Sequence, residues 1–254
     1  MKTLFNLVVA LFVMIAIIAC SNSTLGLDAE TTGTENLNTE DVPAAFAAFS
    51  DDVTIYVDGN YAVLESNGVP NHSSPYFSTS DSRYAVYNGT NSNFALNPNR
   101  IAEQSFVFRI PLNPAEAGNH QNSQLGPIGI SINGVPFYNQ YAGPNIPLTQ
   151  EINSFDQYNG HPQQTGQYHY HVEPLYLTAN SGKEGLLGFL LDGFPVYGPE
   201  ENGSAVTNSD LDQYHGHFSA TSEYPGGIYH YHVTNDDPYI NGGQYFGTPG
   251  FYTN

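Results

Sequence analysis

Tryptophan is absent from the 254 residues, cysteine occurs once, and the two methionines are Met1 and Met14. A folded core must therefore be filled by aliphatic side chains and by the 19 Tyr and 15 Phe. With Cys20 alone, no disulfide can form within the chain, even in a compartment that would permit one. Soft thiolate or thioether sites of the kind that store Cu(I) are disfavoured for the same reason. Basic residues are also scarce: 5 Lys+Arg stand against 24 Asp+Glu, a formal charge of −19. Such a surface repels nucleic acid and acidic lipid headgroups, which excludes both as main partners, and attracts divalent cations. No Gly-x-Ser-x-Gly, phosphate loop or dinucleotide fingerprint occurs.

Only one long apolar run is present, Leu4 to Ala19, behind the positive Lys2. It is too short for a membrane span and reads as a secretory signal over residues 1–19. Its end, Ile17-Ile18-Ala19-Cys20, resembles the lipobox of bacterial lipoproteins, with Cys20 as the lipidated residue. That resemblance implies a cell-envelope protein held in the membrane by an acylated cysteine, and Ser21 after it implies sorting to the outer membrane. Residues 20–45 are rich in Ser, Thr, Asn and acid and read as a flexible tether. Residues 46–254 are the expected folded domain.

Asn-Gly and Asp-Gly pairs recur at Asp58-Gly59, Asn67-Gly68, Asn88-Gly89, Asn133-Gly134 and Asp192-Gly193, several of them between short apolar or alternating runs, the local signature of hairpins. The runs at 53–57 and 61–64 predict one around the first. In Ser105 to Ile110 the alternation of Phe106, Phe108 and Ile110 predicts a half-buried strand. Pro43 to Phe49 predicts one short helix, and 25 Gly with 17 Pro argue against long ones. The expected fold is mostly β.

An internal repeat is the most informative feature. Ile128-Gly129-Ile130-Ser131-Ile132-Asn133-Gly134-Val135-Pro136-Phe137-Tyr138 aligns without a gap on Leu187-Gly188-Phe189-Leu190-Leu191-Asp192-Gly193-Phe194-Pro195-Val196-Tyr197. Asp156-Gln157-Tyr158-Asn159-Gly160-His161 then matches Asp212-Gln213-Tyr214-His215-Gly216-His217, and Tyr168-His169-Tyr170-His171 matches Tyr229-His230-Tyr231-His232. Three blocks in one order, with units of about 125–178 and 184–238, predict a single domain with an internal pseudo-twofold duplication of hairpin units.

Seven of nine histidines lie between Asp156 and His232. Side chains alternate along a strand, so His169 and His171 share one face and Tyr168 and Tyr170 the other; His230 and His232 stand likewise against Tyr229 and Tyr231. Two imidazoles so placed, with His161 or His217 delivered at a Gly bend, suit a metal ion. Three arrangements are open: one site in each unit, a single site shared where the two histidine strands meet, or structural histidines with no metal. Asp156 and Asp212 fit either as carboxylates orienting the imidazoles or as turn caps. Imidazole with carboxylate suits Zn, Cu(II) or Fe. An enzymatic role is left open, since hydrolysis would further need an open coordination position and a general base. The alternative function is a non-catalytic surface module binding glycan or protein, for which abundant Tyr, Asn and Gly are well suited.

The chain resembles the YHYH domain proteins of bacterial envelopes. The likeness is carried by both Tyr-His-Tyr-His segments, by Glu65-Ser66-Asn67-Gly68-Val69-Pro70-Asn71-His72, by Asn97-Pro98-Asn99-Arg100 and by Leu125-Gly126-Pro127-Ile128-Gly129, over about 53–233. It implies an exported β-rich domain with a suspected metal role and no established reaction, and it adds His72 as a further possible ligand. The resemblance also implies cysteine at the positions of Tyr158 and Tyr214, so no cysteine-dependent site or disulfide is expected here.

Overall fold

The computed structural model describes residues 38–254. The signal segment and Cys20 lie outside the described residues. Among those described, no helix is long and apolar enough to cross a membrane. The fold is mostly β, as the turn and alternation pattern predicts.

A first sheet opens the domain. A short 3-10 helix over Ala44–Ala48 follows Pro43, and its Phe46 stacks on Phe189 of the second sheet at 4.4 Å between ring centroids. Strands β1 (Thr54–Asp58) and β2 (Tyr61–Ser66) form a hairpin turning at Gly59, whose φ of +59° suits a residue without Cβ. Strand β3 (Phe106–Pro111) pairs with β2 and buries Phe106, Phe108 and Ile110 in strict alternation.

The two repeat units build the second sheet. The first unit supplies β4 (Pro127–Ser131), β5 (Pro136–Tyr138), the small hairpin β6 (Tyr141–Ala142) and β7 (Ile146–Pro147), then β8 (Gly160–Pro162) and β9 (Tyr168–Tyr170). One α-helix, α1 (Leu175–Ser181), starts after Pro174 and buries Leu177. The second unit supplies β10 (Leu186–Leu190), β11 (Pro195–Tyr197), the hairpin β12 (Glu200–Glu201) and β13 (Ser204–Ala205), then β14 (Gly216–Ser219) and β15 (Ile228–His232). The last strand, β16 (Phe251–Thr253), returns to pair with β3 and completes a four-stranded first sheet.

The order of the eight-stranded sheet is β14-β15-β11-β10-β4-β5-β9-β8, the same from either edge when matching strands of the units are exchanged. At its centre, β4 and β10 run antiparallel with Ile130 opposite Phe189, residues at matching repeat positions. Gly129 and Gly188 pass there under the facing backbone: a Cβ on Gly129 would strike the Phe189 carbonyl, and one on Gly188 the Ile130 carbonyl. The repeated glycine is thus a close-approach residue for the central seam. A single apolar cluster joins both sheets, from Leu64, Phe106 and Phe108 to Ile130, Phe137, Phe189 and Val196.

Candidate metal centres

The strand pairs at the two edges position the histidines. In β8–β9, His161 lies directly opposite His169, and in β14–β15, His217 lies opposite His230. Facing residues of an antiparallel pair share a sheet face, and so do residues two apart on one strand. Register alone therefore brings His161, His169 and His171 together, and His217, His230 and His232. The histidine strands β9 and β15 are separated by β11, β10, β4 and β5. That separation excludes one site shared between the histidine strands.

Each triad has gained a carboxylate that the repeat does not announce. Glu151, in the 3-10 turn Glu151–Ser154, reaches the first triad, with Oε1 at 3.2 Å from His161 Nε2. Glu201, on β12, reaches the second, with Oε2 at 3.5 Å from His217 Nε2 and Oε1 at 3.8 Å from His230 Nε2. In each group of four, one ligand atom per residue lies within 4.8 Å of all the others.

Tautomers follow from the outer hydrogen bonds. His169 Nδ1 faces the Gln167 carbonyl at 3.1 Å, and His171 Nδ1 faces the Asn139 carbonyl at 2.6 Å. In the second unit, His230 Nδ1 faces the Ile228 carbonyl at 3.0 Å and His232 Nδ1 the Gly198 carbonyl at 2.7 Å. A carbonyl oxygen can only accept, so each Nδ1 carries the proton and a neutral ring presents its Nε2 lone pair. His161 reaches the same state through Ser154, whose hydroxyl donates to the Glu151 carbonyl and accepts from His161 Nδ1 at 2.7 Å.

The lone pairs then face one another. Nε2 of His169 is 3.1 Å from that of His161 and 3.0 Å from that of His171; Nε2 of His230 is 3.2 Å from that of His217 and 3.1 Å from that of His232. Lone pairs this close repel unless a cation lies among them. Four ligands at about 2.0–2.1 Å around a tetrahedral ion stand about 3.3 Å apart, within a few tenths of these separations. A proton is a poor substitute. Burial, reinforced by the neighbouring imidazoles, drives His169 well below its usual range; burial takes His171 and His230 down to about 4 and lowers His232. Burial opposes ionisation of Glu201, but the Ser219 hydroxyl donates to it and holds it below the usual carboxylate value. The donor set is three imidazoles and one carboxylate, which fits a transition metal.

The other candidate residues lie elsewhere. His72 sits against the tyrosine face of β9: its Nδ1 faces the Ser73 carbonyl and its Nε2 accepts from the Tyr170 hydroxyl at 2.8 Å. Strand alternation points Tyr170 away from the histidine face of β9, so His72 cannot join His169 and His171. Asp156 and Asp212 contact no imidazole of either triad. Asp156 accepts from the Tyr168 hydroxyl at 2.8 Å and the Tyr158 amide at 2.9 Å; Asp212 accepts from the Tyr229 hydroxyl at 2.9 Å and the Tyr214 amide at 2.8 Å. They cap turns and tie down the first Tyr of each histidine strand. The bend itself is made by Asn159 and His215, at φ +66° and +77°, rather than by the following glycine. Gly160 and Gly216 are needed for space, since a Cβ on either would strike the ring of Tyr168 or Tyr229. His215, buried, meets Thr234 Oγ1 at 3.0 Å and belongs to neither triad.

Family membership rests on the same stretch of chain. The family model described as YHYH protein matches residues 107–207 and 200–244, more than half of the chain. The chain belongs to the YHYH family. No curated protein and no solved structure matches it. In this YHYH domain the motif's tyrosines and histidines do separate work on opposite strand faces. The middle tyrosines end on buried amide or acid side chains: Asn133 Nδ2 donates to Tyr170 Oη at 3.2 Å, and Tyr231 Oη donates to Asp192 at 2.7 Å. Asn133 and Asp192 are the turn residues of the repeated Asn/Asp-Gly pairs, so the turn and the histidine strand lock each other.

Proposed function

We propose that this chain is an exported, lipid-anchored envelope protein that binds two transition-metal ions, one in each repeat unit, through Glu151, His161, His169 and His171 and through Glu201, His217, His230 and His232. The observation that carries the reading is the convergence of Nε2 lone pairs at 3.0–3.2 Å in both units, each beside a carboxylate. The all-nitrogen-and-oxygen set favours zinc, Cu(II) or iron. The anchor rests on the segment Ile17-Ile18-Ala19-Cys20 and places the protein in the cell envelope, sorted to the outer membrane.

Elemental analysis of untagged full-length protein, produced with metal supplied, tests the reading. Two equivalents are expected for the native chain and one for either His169→Ala or His230→Ala; less than about a tenth of an equivalent in the native chain would sink it. An ion held at about a thousandfold above its dissociation constant contributes about 4 kcal/mol. For a domain of this size that corresponds to about 8–16 °C in Tm, lost on chelation.

A second reading, recognition of a glycan, has its own support. A cleft of about 720 Å³ is bordered by Asn122, Gln124, Tyr141, Gln213 and Gln244, with no charged residue in its lining. In a chain of charge −19, an uncharged amide-rich cleft suits a neutral polyhydroxylated ligand. A blank glycan array, with metal both loaded and removed, would count against it.

A further inference from the structure

The two centres are not equally enclosed. Around the first, the side chains of His161 and Glu151 are 4% and 28% exposed. Phe155 packs at 4.8 Å from the His161 ring and stacks on His171 at 5.7 Å, and Tyr138 stacks on His169 at 3.9 Å. Leu148, Phe155 and Val172 form a small apolar cluster over this edge of the sheet. In the second, the His217 side chain is 24% exposed, and no hydrogen-bond partner holds its Nδ1 among the described residues. A cavity of about 220 Å³ opens on this centre, and His230, His232 and Glu201 themselves form part of its wall.

We propose that the second centre is an exchangeable one that accepts a small neutral or cationic ligand directly on its metal ion, whereas the first is a closed structural site. This inference rests on the metal reading above. Three carboxylates, Glu184, Glu200 and Glu201, line the cavity and no Lys or Arg does; Glu200 is paired with Lys183 Nζ at 3.1 Å, which leaves Glu184 and Glu201 to set the local field. Their field disfavours anions and favours neutral or positively charged molecules. Tyr197 and Thr221, joined by a hydroxyl–hydroxyl hydrogen bond of 2.8 Å, add polar groups to the cavity wall. The first centre's carboxylate approaches its nearest imidazole more closely, at 3.2 Å against 3.5 Å.

Cobalt(II)-loaded full-length protein provides the test, because the intensity of cobalt d–d bands reports coordination number. Cobalt content is measured first, and imidazole or acetate is then titrated at pH 8. Imidazole is expected to change the bands of one equivalent only, with acetate at least tenfold weaker. Ala220→Trp, an exposed substitution at the cavity wall, should keep both equivalents and weaken the imidazole response at least tenfold. Two equivalents with no imidazole response, with both responding, or with a response that Ala220→Trp leaves intact, would overturn this inference while leaving the metal reading in place. Equal or tighter acetate binding would overturn the assigned ligand charge. Absence of bound cobalt would overturn both readings.

Discussion

The two histidine centres share their strand pairing and the outer hydrogen bonds of the motif histidines, but not their surroundings. In both, the last histidine of the motif donates to a carbonyl just beyond the second hairpin strand, Asn139 in one unit and Gly198 in the other. These positions are 59 residues apart, the offset of the first repeat block. The carboxylates break the correspondence: Glu151 follows Tyr138 by 13 residues, whereas Glu201 follows Tyr197 by four. Matching strands of the two units thus carry the imidazoles, and the segments between those strands bring Glu151 and Glu201 to the two groups. The chemistry of such a pair can diverge without any change to the framework.

Covering side chains offer the largest lever on that contrast. Phe155 immediately precedes Asp156 and is 3% exposed, while Leu211, at the matching place before Asp212, is half-buried. Phe155→Ala should cost about 3–5 kcal/mol in chemical denaturation, Leu211→Ala clearly less. The same Phe155 variant should release its ion to a chelator as fast as the second centre does, measured by stopped-flow with a chromogenic chelator; unchanged release would break the link between cover and exchange.

The buried turn residues give the next contrast. Burial raises the Asp192 carboxyl to about 6, whereas Asn133 at the matching position has no charge to lose. A raised carboxyl binds its proton more tightly in the folded state. Its contribution to stability is complete below pH 4 and is lost as pH rises through about 6. A rise of that size from the ordinary carboxyl value corresponds to about 3 kcal/mol. Asp192→Asn should therefore gain about that much relative to the native chain between pH 4 and pH 7, read from denaturant midpoints at each pH. A constant difference would mean that Asp192 titrates normally.

Smallest is the contrast between the first tyrosines of the motif. Tyr168 donates to Asp156, which is 2% exposed; Tyr229 donates to Asp212, which is exposed. Removing a partner from a buried carboxylate costs about 1–3 kcal/mol, because water cannot replace it. Tyr168→Phe should fall in that range and Tyr229→Phe below it, by thermal or chemical denaturation. Equal losses would show that burial of the acid does not set the cost.

The amino-acid order settled everything that depends on local periodicity. Strand alternation puts His169 with His171 and His230 with His232, and three recurring blocks mark the two units. The Asn/Asp-Gly pairs at Asp58, Asn133 and Asp192 mark hairpin turns, while Asn67-Gly68 and Asn88-Gly89 lie in irregular segments. Even the possibility of a metal was legible, because those imidazoles must share a face wherever the strand goes. Tertiary folding decided what periodicity cannot reach. Whether the histidine strands lie together or apart depends on which strands pair at the sheet centre, and the β4–β10 seam sends them toward opposite edges. Glu151 and Glu201 join only because loops of unequal length fold back over those edges, so no spacing in the chain announces them. His72 and the two motif aspartates attach instead to the tyrosine face, where a phenol hydroxyl needs a buried partner.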